Sequence, residues 1–274
     1  MGEERLIGFI KEQPRSIKEV SDFLGKSWGG TESHLKRIRD RTGLIDIKIF
    51  RKGSHGALKV VYYTSHEISQ ADELRKHLFD LIKAGREKDD FDFLEVYQFV
   101  DDEKKSARIR NMGGENDFCD KELMKRLKNT KKSLLCFSGN LSFLTMEDGG
   151  ESICDIFEQL LRKKVHIRIL MRVTIPSLKN LDIMRHLMRK FPDLLEIRHS
   201  FQPLRGFIFD DEIARFKFEE EPENYRAGEL SQKVSIMYEL QDEAWVLWLQ
   251  NVFWNIYRNS IDHKKRVGEM NRIM

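Results

Sequence analysis

Apolar residues recur at helical spacing through residues 3–12, where Leu6, Ile7, Phe9 and Ile10 share one side, and Pro14 ends the run. Ser16 with Glu19 three residues on has the spacing of a capping box. It predicts a second helix that carries Ile17, Val20, Phe23 and Leu24 and stops at Gly25. Ser27 is placed to cap a third helix whose inward stripe is Thr31, Leu35 and Ile38 and whose end is Gly43. The period then changes from helical to alternating. Ile45, Ile47 and Ile49, and on the return Leu58, Val60 and Tyr62, mark two strands joined by the basic loop Arg51-Lys52-Gly53-Ser54-His55-Gly56.

Residues 67–86 return to a helical pattern. Ala71, Leu74, Leu78, Leu81, Ile82 and Gly85 trace one stripe close to a heptad seam, which predicts a helix that pairs two copies of the chain. The alternative is a helix that packs on its own domain. FDFLEVYQFV has the look of a short ordered element, and DDEKKSARIRNMGGEND reads as a linker or exposed loop. From residue 118 helices and strands alternate. Helices are expected over 118–130, 150–163, 177–190 and, rich in tryptophan, about 242–262. Strands are expected over 133–140, 165–172, 194–200 and 233–240, with a hairpin at 204–218 around Asp210-Asp211. Such alternation implies a mixed or parallel sheet covered by helices. The chain thus divides into residues 1–66, a helical connector and linker over 67–117, and a second domain over 118–274.

Charge sharpens the division. Residues 1–66 hold 13 Lys and Arg against 8 Asp and Glu, whereas the full 274 residues sum to only +3. The positive excess therefore lies at the front, as in a module that binds a polyanion. With 40% hydrophobic and 34% charged residues, the composition is that of a globular protein and excludes a collagen-like or mostly disordered one. No run approaches the ~20 apolar residues of a membrane span. The start MGEERLIGF lacks the basic and apolar regions of a secretory signal, so a cytoplasmic location is expected. Three cysteines, Cys119, Cys136 and Cys154, are too few and scattered for a disulfide frame or a zinc site, and no metal or cofactor is expected.

Three helices followed by a hairpin predict a winged helix-turn-helix. SIKEVSDFLGKSWGGTESHLKRIRDRTGLI resembles the winged-helix transcription regulators of bacteria and archaea. The resemblance implies that the third helix enters the major groove of double-stranded DNA. The face opposite its buried stripe holds Gly29, Ser33, Lys36, Arg37 and Asp40. Trp28, Ser33, Lys36 and Arg37 are the candidate contacts on the helix, and Arg51, Lys52 and His55 those on the wing. Gly29 and Gly30 bring no side chain to a base edge, which points to close phosphate approach, to low sequence specificity or to a module that binds protein instead.

The second segment resembles one half of a phospholipase D-like domain, in the order SLLCFSGN, helix, VHIRILMR, helix, LLEIRHS, LRGFIFDDEIARF. That superfamily carries His-x-Lys with an Asp further on. Setting Asp210 at the Asp puts Arg205 at the Lys position and Pro203 at that of the nucleophilic His. Proline supplies no nucleophile, so no catalytic residue is expected, and His199 stands four residues off register as a substitute. A winged helix joined to a degenerate phospholipase D-like domain resembles the TrmB-like family of archaeal transcription regulators. That resemblance implies a second domain that senses a small molecule or supports dimerisation. By the strand-end rule for open α/β sheets, the candidate effector contacts are Ser138, Asn140, Arg172, His199, Arg205 and Asp210.

The expected fold is therefore a two-domain α+β and α/β chain. The expected function is a homodimeric DNA-binding regulator with a catalytically inert effector domain. Two other readings stand beside it: a phosphodiesterase or nuclease with a relocated nucleophile, and an adaptor whose winged helix binds protein.

Overall fold

Helix starts coincide with the capping residues of the sequence in the computed structural model, which describes residues 3–51, 57–64, 73–111 and 120–273. Contacts divide the chain into two compact units, Met1–Glu67 and Ile68–Met274. The first runs α1 (Glu3–Glu12), β1 (Arg15–Ser16), α2 (Ile17–Leu24), α3 (Trp28–Thr42), β2 (Ile45–Arg51) and β3 (Ala57–Tyr63). At the start of α2 the Ser16 and Glu19 side chains each accept the other's backbone N–H, at 3.2 and 2.7 Å. Gly25 and Gly43 close α2 and α3 in the left-handed conformation, with φ of 62° and 60°. Leu35 and Ile38 pack with Leu6, Ile10, Ile17, Val20, Ile45 and Val61 into the core of this unit. Each such side chain, once buried, contributes ~1.5–3 kcal/mol. The strands form one antiparallel sheet in the order β1-β3-β2: a winged helix.

The inward phase of β3 differs from the expectation. Ile47 pairs with Val61 and Ile49 with Lys59, so Lys59, Val61 and Tyr63 share the face of the β2 isoleucines. Val61 is buried, and Leu58 is exposed. ALKVVYY carries apolar residues in both phases, so alternation alone cannot choose between them, and a shift of one residue exchanges the faces. The pairing with β2 and the packing on α3 make the choice.

The second unit runs α4 (Glu73–Ala84), α5 (Leu94–Tyr97), β4 (Lys105–Asn111), α6 (Lys121–Asn129), β5 (Ser133–Phe137), β6 (Glu147–Asp148), β7 (Glu151–Ser152), α7 (Ile153–Arg162), β8 (His166–Met171), α8 (Leu178–Lys190) and β9 (Leu195–His199). It continues through β10 (Gly206–Phe209), β11 (Ile213–Glu220), β12 (Val234–Leu240), α9 (Glu243–Arg258), β13 (Ile261–Asp262) and α10 (His263–Met270). Eight strands form one mixed sheet in the order β13-β9-β8-β5-β10-β11-β12-β4. The neighbours β5, β8 and β9 are parallel, and the other pairings are antiparallel. Helices cover both faces. Leu134 and Cys136 of β5 enter one core with α7 and α8, whereas Leu135 and Phe137 enter the other with α4 and α9. A strand buried on both sides loses its alternation, which is why SLLCF reads as a continuous apolar run.

Three expectations change here. The stripe Leu78 and Ile82 of α4 is buried within this unit, against the aromatic helix α9, so the seam read as a pairing surface is spent on the chain's own core. Residues 105–111, read as linker, form the edge strand β4, paired with β12 along its length. Charged side chains suit an open edge, and they disguised the strand as a loop. The last helix stops at Arg258, and β13 and α10 follow it.

Candidate functional site

On α3 the buried stripe fixes the outward face. Ser27 caps the helix by accepting the Gly30 N–H at 3.3 Å. Trp28, Ser33, Lys36 and Arg37 are exposed, as is Lys26 before the helix. Arg37 has no ion-pair partner among the described residues. Burial, and then the nearby Lys26 and Arg37, hold His34 below the ordinary imidazole range, so it stays neutral at pH 7. Lys52 and His55 lie outside the described residues, and Arg51 is described only by its backbone at the end of β2.

Two residues that the sequence reading passed over belong to this face. Lys59, turned inward by the register of β3, places its Nζ 2.8 and 2.9 Å from the two carboxylate oxygens of Glu32. The same ammonium stands 4.7 Å from the centre of the Trp28 ring. Lys36 reaches Glu32 from one turn along the helix, at 2.9 Å. Hydrogen bonds from Lys59 and Lys36 hold the Glu32 carboxyl below its ordinary range. Glu32 at the position four before Lys36 was visible in the sequence. Lys59 was not, because its face depends on the strand pairing.

In the second unit the candidates separate into two groups. Parallel pairing of Phe137 with Leu170 and of Met171 with His199 brings the carboxyl ends of β5, β8 and β9 to one edge. Ser138, Asn140, Arg172 and His199 sit there, joined by Arg205 at the start of β10. Asp210 does not. β10 runs antiparallel to β5, with Phe209 opposite Leu134, so Asp210 lies at the far end of the strand. Its carboxylate accepts the N–H groups of Lys131, Lys132 and Ser133, at 2.6–3.1 Å, and fastens the start of β5. Asp210 and Asp211 have φ of 53° and 65°, the two left-handed residues of a tight hairpin turn.

Within the strand-end group Ser138 and Asn140 shape a turn: Ser138 Oγ accepts the Leu141 N–H, and Asn140 Oδ1 accepts that of Ser142. His199 Nδ1 accepts the Val173 N–H at 2.9 Å. A neutral imidazole bound in this way carries its proton on Nε2, so neither nitrogen offers a free lone pair for attack. Burial and the nearby Arg266 lower its pKa. Pro203 packs on the turn after α4, where a Cβ on Gly85 would meet its ring at 2.8 Å.

Arg205 is the unusual member. Its Nη1 donates to the carbonyls of Gln202 and Leu204, and its Nη2 is buried without a hydrogen-bond partner among the described residues. The guanidinium lies against Gly139, where a Cβ would stand 2.9 Å from Nε. Burial, and then Arg172, pull its pKa down to about 10, still charged at pH 7. Arg172 is half-buried and ion-pairs with Glu87. The side-chain oxygen of Gln202, whose amide donates to the Ser138 carbonyl, is also buried without a donor among the described residues. Gln202, Glu87 and Gly139 carried no sequence signal, because their roles come from the chain crossing the strand ends. Among the described residues no three His, Cys, Asp or Glu side chains come together in a group fit to hold a metal ion.

No protein-family model matches the sequence, and no curated protein does. Among solved structures the chain is similar to TrmBL2, described as an archaeal chromatin protein with a novel mode of DNA binding. The identity is 12%, over 95% of this chain and 100% of that one, with a TM-score of 0.41. It is similar to Nuc, a phospholipase D family member of Salmonella typhimurium, at 9% identity over 58% and 98%, with a TM-score of 0.40. NucT from Helicobacter pylori shows 12% identity over 58% and 99%, with a TM-score of 0.42. At such identities and scores no residue role is carried over from them.

Proposed function

We propose that this chain is a DNA-binding transcription regulator whose second unit is a non-catalytic effector domain. The outward face of α3 carries the reading: Lys36 and Arg37 stand exposed opposite a stripe whose burial leaves the helix one orientation. Lys26 and Trp28 lie at the helix start, beside the same face. An exposed Arg without an ion pair among the described residues suits a phosphate or a guanine edge. The test is binding of the full chain to a duplex fragment while salt is raised. Arg37→Ala is expected to weaken binding by about 5- to 10-fold and to flatten the dependence of log K on log salt by about one. Unchanged binding removes α3 as the recognition helix, and a first unit that captures protein but no DNA replaces this reading with the adaptor.

The effector domain is proposed to act without hydrolysis. Pro203 fills the nucleophile position with a packed ring, and His199 spends Nδ1 on the backbone. A generic phosphodiester such as bis(p-nitrophenyl) phosphate is expected to show no turnover above background. Hydrolysis that His199→Ala abolishes would restore the phosphodiesterase reading. The strand-end group offers the place for a small effector, one with an acceptor for the unpartnered Arg205 N–H. We place the regulator as a homodimer on paired half-sites, since one recognition helix covers only a few base pairs. A solution mass of one 32.5 kDa copy in the presence of DNA would remove that element.

A further inference from the structure

One turn before Lys36 on α3 stands an acid. Glu32 lies on the flank of the helix turned towards β3, and its side chain is 13% exposed. Lys59 Nζ holds both of its oxygens and Lys36 Nζ holds one, all within 2.9 Å. Lys36 keeps a side chain 54% exposed, yet its ammonium is already paired. Two of the cations nearest the recognition helix are therefore engaged by one carboxylate, which cancels one of their two charges. That carboxylate also stands between helix and hairpin, beside the outward face of α3 that the DNA-binding reading turns to the duplex. A phosphate coming to Lys36 or Lys59 meets negative charge and must displace it.

We propose that Glu32 is a built-in competitor of the DNA backbone: it occupies Lys36 and Lys59 and lowers the affinity of the first unit for duplex DNA of any sequence. This rests on the DNA-binding reading above. Arg37 then carries more of the backbone contact than Lys36, although the two are neighbours on the same turn. Affinity set by weak backbone contact favours discrimination, because contacts to phosphate hold any sequence equally while contacts to base edges do not. Glu32 thus trims the sequence-independent part of binding.

The experiment uses the full chain and a random-sequence duplex, titrated from low salt upwards, with the melting temperature of each variant measured alongside. Glu32→Gln is expected to bind about tenfold tighter than the parent, with a slope of log K against log salt steeper by about one to two, one for each lysine released. Lys36→Ala is expected to cost little in the parent and several-fold in the Glu32→Gln background, a non-additivity that marks the pair. If the parent binds and Glu32→Gln binds equally or more weakly with an unchanged slope, the carboxylate is a brace and the proposal falls. A loss confined to particular sequences would make Glu32 an acceptor for a base amino group, which also overturns it. If neither protein binds DNA at low salt, the DNA reading itself falls. Should Glu32→Gln prove unstable, Lys59→Met keeps the carboxylate and tests the same point. It is expected to weaken binding less than Arg37→Ala does, and an equal or larger loss overturns the proposal.

Discussion

Gly206→Ala is expected to lower the melting temperature of the second unit by about 10 °C or more, from a loss of ~3–5 kcal/mol. Gly206 opens β10 and pairs on both sides, with Phe137 of β5 and Phe216 of β11. A Cβ there would stand 2.3 Å from the Arg215 carbonyl oxygen and 2.6 Å from the Phe216 ring. Neither neighbour can yield. The carbonyl belongs to a strand paired on both sides, and the Phe216 ring is stacked on Phe93 at 4.4 Å and packed on Phe137 at 5.6 Å. The sheet has to part between β10 and β11, in the middle of its order. Trp245, Trp248 and Trp254 all belong to this unit and are buried, so their fluorescence reports its unfolding. An unchanged transition would mean that the two strands do not approach as closely as the register requires. The same clash explains why the strand that follows Arg205 starts with glycine.

Arg215→Met is expected to cost about 3–5 kcal/mol, again in the second unit. Arg215 is 4% exposed, and its guanidinium holds Asp120 at 2.7 Å and Glu239 at 3.4 Å. Asp120 also caps α6 by accepting the Leu123 N–H, and Glu239 takes a second cation from Arg126 at 2.7 Å. The cluster ties the start of α6 to β11 and β12. Methionine keeps only the aliphatic stem and takes a cation from two carboxylates in a place closed to water, leaving Glu239 with Arg126 at 2.7 Å and Asp120 with Arg110 at 3.9 Å, and that loss of charge compensation is the larger part of the cost. Replacing Asp120 by Asn and Glu239 by Gln in the same chain removes the under-compensated charge and is expected to recover part of the loss. Urea denaturation of the single and triple variants measures both. A triple variant no better than Arg215→Met would assign the cost to lost packing instead.

The elements were legible wherever a local rule acts alone. Ser16 with Glu19, and the glycines 25 and 43, mark helix ends because a cap is satisfied within four residues. Thr31, Leu35 and Ile38 mark the inner side of α3 because helical period and burial agree there. The hairpin at Asp210-Asp211 was legible for the same reason: a two-residue turn demands left-handed backbone, which Asp tolerates better than most. Legibility failed where two phases were equally apolar, as in β3, and where an edge strand carries the charges of a loop, as in β4. It failed for the α4 stripe too, since an apolar seam looks the same whether a second copy or the chain's own α9 covers it.

Sequence alone established the order of the main helices and strands apart from β4, β13 and α10, the winged helix with Lys36 and Arg37 on its outward side, and the excess of positive charge in the first 66 residues. These depend on spacing and composition, which the chain carries without folding. Tertiary structure decided which residues meet. It turned Lys59 towards Glu32, gathered Arg172, His199 and Arg205 at one edge of the sheet, and sent Asp210 to the other. Direction and register of strand pairing settle such meetings between residues tens of positions apart, and no local pattern encodes them.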